Sequence, residues 1–302
     1  AEEDMACAEL LAEAMEHTAH YGRRLDQAAA FERATGRSPD TANDWLTASM
    51  LDATSEIGKY DGTDAQVVVG HIRPQPGMGV VRTELYIPVH SVFNFALLPP
   101  ALEYDLGDLR GANPTPTPGD ARVELVIDYD NGLIVARQNP SVTESGEVRV
   151  DAPIIDVQQL TTGDVRIAYE AANPFAPAGG EPVHKVQGEI AVSPDGGEMT
   201  VGGIIGEYPS LEMYHHQNDG TVVPLAIEDA QDRTSSGPLW NLPRRQDIGD
   251  PSVIEPFEDM GNPTVSAYEG GLGQPSHPGE TRLGSPEDDV QVPSVTPTRG
   301  GR

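Results

Sequence analysis

The chain has 302 residues, of which 37% are apolar, and 48 acidic against 19 basic side chains give it a net charge of −29. A surface of that sign repels phosphate backbones and anionic bilayers, so nucleic acid is not an expected partner. A single cysteine, Cys7, excludes an intrachain disulfide and a cysteine-built zinc site. No apolar run approaches the roughly 18 residues of a membrane-spanning helix, so no membrane insertion is expected.

Residues 2–35 read as a helix, rich in Ala, Leu, Glu and Arg and free of Pro. Gly36 suits its end, and Ser38-Pro39-Asp40 suits the start of a second helix. There Ala42, Trp45, Leu46, Ser49, Met50 and Ala53 recur at helical spacing, which places Trp45 and Met50 on one buried stripe. Residues 1–58 are therefore expected to form a helical hairpin, with Trp45 and Met50 as partner-docking candidates. On the first helix, Glu13, Glu16, His17 and His20 share one face and could hold a divalent ion. The HExxH order is missing, and a polar face on a surface helix is ordinary; neither a metal nor a cofactor is expected.

After Gly62 the period changes to two. Val81, Leu85, Ile87 and Val89 alternate with polar residues, as do Val123, Leu125 and Ile127, then Val165, Ile167 and Tyr169, then Val186, Ile190 and Val192. That pattern predicts antiparallel strands with one apolar face and one face in water. Asn131-Gly132 is a strong hairpin signal, and Asp219-Gly220 marks another turn. The start of a calcium loop at Asp128–Gly132 is one residue short of the EF-hand spacing and reads as that hairpin instead. In Gly206–Thr221, alternation sends Leu211, Met213 and His215 one way and Glu212, Tyr214 and His216 the other. The two histidines therefore cannot share a metal, and their place beside a turn predicts a structural role near solvent. Nucleophile and phosphate-loop motifs are absent, and no catalytic residue stands out.

From about residue 250 the periodicity stops and Gly, Pro and acidic residues dominate, which predicts disorder. The expected organisation is α+β: a helical hairpin (1–58) packed on a curved antiparallel β-sheet or partly open barrel (59–249), then a disordered acidic tail (250–302).

Several phrases stand together: VVRTELYIP at 80–88, VELVIDYDNGLIVARQNPSV at 123–142, VRIAYEAANPFAP at 165–177, GGIIGEYPSLEMYHH at 202–216 and GPLWNLPRRQDIG at 237–249. They resemble a β-rich domain of actinobacterial and mycobacterial proteins linked to type VII (ESX) secretion, often found upstream of variable or toxin regions. The resemblance implies a secreted or cell-envelope protein with a scaffold or adaptor role, and ESX components or an upstream helical segment as partners. It supplies no catalytic residues. Trp45 is followed by Leu46-Thr47 rather than the WXG turn of such helical regions. The secretion pattern Y-x-x-x-[DE] occurs at Tyr60–Asp64, Tyr104–Asp108 and Tyr208–Glu212. Tyr60–Asp64, just past the hairpin, is the best placed and joins the partner-docking candidates. The competing expectations are a hydrolase, or a small-ligand or lipid-binding protein, using the concave face of the sheet. Without export, the chain would be cytoplasmic.

Overall fold

The computed structural model describes residues 2–86, 112–142, 146–175, 185–196, 198–206, 210–228, 244–258, 280–283 and 296–299. Helix α1 (Glu2–Thr35) ends at Gly36, whose φ of +78° lets its amide bond back to the Glu32 carbonyl at 2.8 Å. Helix α2 (Ala42–Leu51) starts later than Ser38-Pro39-Asp40 suggests. Thr41 accepts from the Asp44 amide while the Asp44 carboxylate accepts from the Thr41 amide, a reciprocal capping box that fixes the first turn there.

The first sheet runs β12 (Val222–Glu228), β11 (Ser210–His216), β2 (Val80–Tyr86), β3 (Val123–Asp128), β4 (Leu133–Gln138), β1 (Gln66–His71), β15 (Thr296–Arg299), with antiparallel neighbours throughout. The second runs β13 (Arg245–Gly249), β10 (Glu198–Gly206), β9 (Lys185–Asp195), β8 (Val165–Ala172), β7 (Ile154–Gln159), β14 (Glu280–Leu283), antiparallel except for the β14–β7 pair. A two-stranded ladder, β5 (Ser141–Val142) with β6 (Val148–Arg149), lies between β4 and β7 in sequence.

The two sheets face each other. Val81, Leu85, Val123, Leu125 and Ile127 of the first share one apolar cluster with Ile155, Val157, Ile167, Ile190 and Val201 of the second. The expectation of one curved sheet or a partly open barrel is thus corrected to two packed sheets without closure. At one edge β12 approaches β10 and β13, so the sheets converge there. The far face of the first sheet carries the helical hairpin: Phe31, Ala48, Met50 and Leu51 pack on Val67, Val69, Val126 and Val135. The layers are helix, sheet and sheet. Every residue of β2, β3 and β4 is buried, so the polar face expected to be in water is covered.

The ordered body also extends past residue 250. Pro251–Val253 form a 3₁₀ turn and Glu255–Glu258 a short helix, and Val253, Ile254 and Phe257 pack with Leu160 and Ala191 on the outer face of the second sheet. The disorder expected of the tail falls elsewhere on residues outside the described ones, apart from the short strands β14 and β15.

Candidate functional site

The face of the first sheet that looks away from its partner sheet carries charge where water was expected. Strand register aligns Glu212 with Glu84, Glu84 with Glu124, and Glu124 with Arg137, so four strands contribute one row of side chains. Directly opposed residues on one face stand about 4.5–5.5 Å apart, and like charges at that distance repel. Glu84 and Glu124 show no accessible surface, and Arg82, Arg137 and Glu212 are buried.

The row holds together through its own pairs. Arg82 Nε lies 2.5 Å from Glu84 Oε1, and Arg82 Nη2 donates to Glu124 Oε1 at 3.0 Å. Arg137 Nε stands 3.6 Å from Glu124 Oε2, and its Nη1 donates to the Asp52 carbonyl at 2.6 Å, which ties the end of α2 to β4. Two of the glutamates have a tyrosine two residues on: Tyr86 donates to Glu84 Oε2, and Tyr214 donates to Glu212 Oε2 at 2.7 Å. Segment 112–118 roofs the row. The Asn113 amide donates to Glu212 Oε2 at 3.0 Å, and Arg82 Nη1 donates to the Pro116 carbonyl at 2.9 Å.

Burial shapes the protonation states. It pushes Glu84 up to about 7, against the pull of Arg82, and pushes Glu124 up as well. His216, on the same face of β11, is lowered to about 4 by burial and by the Arg82 charge. Its Nε2 is buried with no hydrogen-bond partner, while its carbonyl accepts from Asn43 at 3.0 Å. His215 points the other way, as alternation predicts, with Nε2 2.8 Å from the Met78 carbonyl. Both histidines are buried, at 4% and 7% exposure, which corrects the expectation of a position near solvent.

Met50, Tyr60 and, in part, Trp45 pack into the body. Met50 is wholly buried. Trp45 is half-buried beneath Arg24, whose guanidinium lies 3.3 Å from the ring centroid. Tyr60 is buried and donates to the Gly119 carbonyl at 2.9 Å, so the Tyr60–Asp64 pattern offers only the half-buried Asp64 outward. His20 is exposed, while the side chains of Glu13, Glu16 and His17 lie outside the described residues. Among the described residues no three His, Cys, Asp or Glu side chains converge as a metal would require. A polar cleft of about 260 Å³ opens where α2 meets two hairpin turns, lined by Arg37, Asn43, Asp44, Asp130, Gln217 and Asn218. Its charges are already engaged: Arg37 binds both oxygens of Asp44, at 3.0 and 2.6 Å, and donates to Asn131 at 2.7 Å.

The period-two reading assigns Arg82, Glu84 and Glu124 to water, and Arg137 follows an unbroken apolar run that shows no alternation. The repeated Glu-x-Tyr of 84–86 and 212–214 was the sequence signal of the row. Compared with protein-family models and with curated proteins, the chain matches none.

Proposed function

We propose that the chain is a non-enzymatic scaffold or adaptor module linked to type VII (ESX) secretion, exported or held at the cell envelope. One observation supports the non-enzymatic part above others. The space between the sheets is filled by aliphatic side chains, and the acids and cations on the outer row are buried and bound to one another. A ligand or lipid carrier needs a hollow where these side chains sit, and a hydrolase needs convergent reactive groups open to substrate. The secretion link rests on the phrases at 80–88, 123–142, 165–177, 202–216 and 237–249. Among the described residues no helix is long and apolar enough to cross a membrane.

In this reading ESX components or an upstream helical segment dock on the helical layer. There Tyr21 and Leu25 stand 66% and 53% exposed one turn apart on α1. The test is quantitative mass spectrometry of the tagged chain in culture filtrate, envelope and cytosol, with the type VII secretion motor intact and deleted. Motor-dependent recovery outside the cytosol is expected. A chain confined to the cytosol in both strains would sink the reading.

A further inference from the structure

We propose that Asn131 is a latent deamidation site, closed while the helical hairpin sits on the first sheet and open in molecules whose hairpin has lifted. Asn131-Gly132 is the only Asn-Gly pair in the sequence. Glycine puts no Cβ beside its own amide nitrogen, so that nitrogen reaches a preceding asparagine side chain more readily than any other residue's does. The lone pair of the Gly132 nitrogen forms a bond to Asn131 Cγ, the nitrogen's proton passes through water to Nδ2, and the Cγ–Nδ2 bond breaks to release ammonia. Water then opens the cyclic imide at one carbonyl or the other, which leaves aspartate or a β-linked isoaspartate.

The folded chain withholds the first step. Cγ must swing onto the Gly132 nitrogen, and the Asn131 amide is held at both ends. Its Oδ1 accepts from Arg37 Nη2 at 2.7 Å, and its Nδ2 donates to Asp128 at 2.8 Å and to Asp44 at 2.9 Å. The bonds to the Arg37–Asp44 ion pair are charge-assisted, the stronger kind. These partners are themselves fixed. Asp44 accepts from the Asp40 and Thr41 amides at 3.1 Å, and Asp128 accepts from Thr47 of α2 at 2.7 Å. The clamp is therefore built from the link before α2, from α2 itself and from the β3–β4 turn, and it exists only while the hairpin is seated. Lifting α2 takes Arg37, Asp44 and Thr47 away together and leaves Asn131 with Asp128. The product does not fit the clamp. Where Nδ2 donated, a carboxylate oxygen would face the buried oxygens of Asp44 and Asp128. The β-linked form also lengthens a turn in which a Cβ on Gly132 would already stand 2.6 Å from the Ile72 carbonyl. A molecule that has reacted is thus barred from reseating its hairpin.

The proposal is independent of the secretion reading, because it concerns the turn and its clamp alone. It is tested on the full chain, at constant pH and temperature, by peptide mapping with mass spectrometry, which separates the amide from both acid products. Loss of the Asn131 amide should be about tenfold or more slower in the folded chain than in the same chain unfolded in urea, since the reaction follows the open fraction. Arg37→Met removes the grip on Oδ1 and on Asp44, and should speed the reaction of the folded chain about tenfold. Asn131→Asp should unfold at lower urea than Asn131→Ala, since both lose the donor bonds and only the first adds a charge. Equal rates in the folded and unfolded chain overturn the proposal, and that comparison needs no variant should Arg37→Met fail to fold. An Arg37→Met rate equal to the parent's overturns it too, as does an Asn131→Asp midpoint at or above that of Asn131→Ala.

Discussion

Glu84 and His216 titrate in opposite senses on adjacent strands. Glu84 is raised from 4.5 to about 7, so the folded chain keeps a proton that the unfolded chain has released; stability is highest below 4.5 and falls as pH rises to about 7. His216 is lowered from 6.5 to about 4, so the unfolded chain binds the extra proton; stability rises as pH climbs from about 4 to 6.5. Between 4.5 and 6.5 the two slopes, each at most about 1.4 kcal/mol per pH unit, oppose each other. Urea unfolding across this range should show the offset. Glu84→Gln should leave stability climbing to about pH 6.5, and His216→Gln should leave it falling towards pH 7. Two variants with the same profile as the parent would refute the assignment. Arg137 allows a further check. Arg137→Ala leaves Glu124 with Arg82 alone and takes the donor from the Asp52 carbonyl, so it should cost about 2–4 kcal/mol, whereas Glu124→Gln with Arg137→Met should recover part of it. None of this was legible from alternation, which records that a residue is polar and not whether another layer covers it.

At the level of elements, the hairpin at Asn131-Gly132 was legible and its chemistry only in part. The strands pair as Asp128 with Leu133, so the turn is a four-residue loop rather than a two-residue one. Only Gly132 takes positive φ, at +68°, and a Cβ there would stand 2.6 Å from the Ile72 carbonyl. Asn131 is present for its side chain, which donates to Asp128 at 2.8 Å and to Asp44 of α2 at 2.9 Å. Gly132→Val should therefore lower stability by about 2–4 kcal/mol through strain and clash. Asn131→Ala should cost about 1–2 kcal/mol through lost bonds. Calorimetry on both separates the roles, and equal small effects would contradict them. Asp219-Gly220 is the plainer turn: Gly220 takes φ of +88° and Asp219 accepts from the Thr221 amide at 2.8 Å. The helical hairpin was legible too, because composition and spacing act within one helix. The reciprocal Thr41–Asp44 cap outcompetes Ser38-Pro39-Asp40 and sets the start of α2 at Ala42.

For the whole molecule, local signals could not say how many sheets the hairpins build. Strands that alternate apolar and polar suit one curved sheet or two stacked ones equally. The choice is made between strands, as at Asn139, where the chain leaves β4. Asn139 is fully buried, accepts from Arg137 at 2.9 Å and donates to the Ala121 carbonyl at 2.8 Å, and Pro140 then leaves the ladder. The C-terminal limit of the body was likewise hidden, since the Gly- and Pro-rich composition beyond it masks one packed turn. Phe257 is 2% exposed, so Phe257→Ala should cost about 3–5 kcal/mol. Removing residues 250–302 should lower the melting temperature well beyond removal of 259–302. Equal losses would show that the packed turn contributes nothing.

The glutamate row also bears on how the sheet assembles. A slip of β11 by one residue against β2 would turn Glu212 and Tyr214 into the aliphatic interlayer and Leu211 and Met213 out onto the charged face. A purely aliphatic strand buried on both sides would suffer far less from that error. A strand misaligned in this way finds neither an apolar seat nor an ion-pair partner, so the charged row fixes the register of β11 against β2.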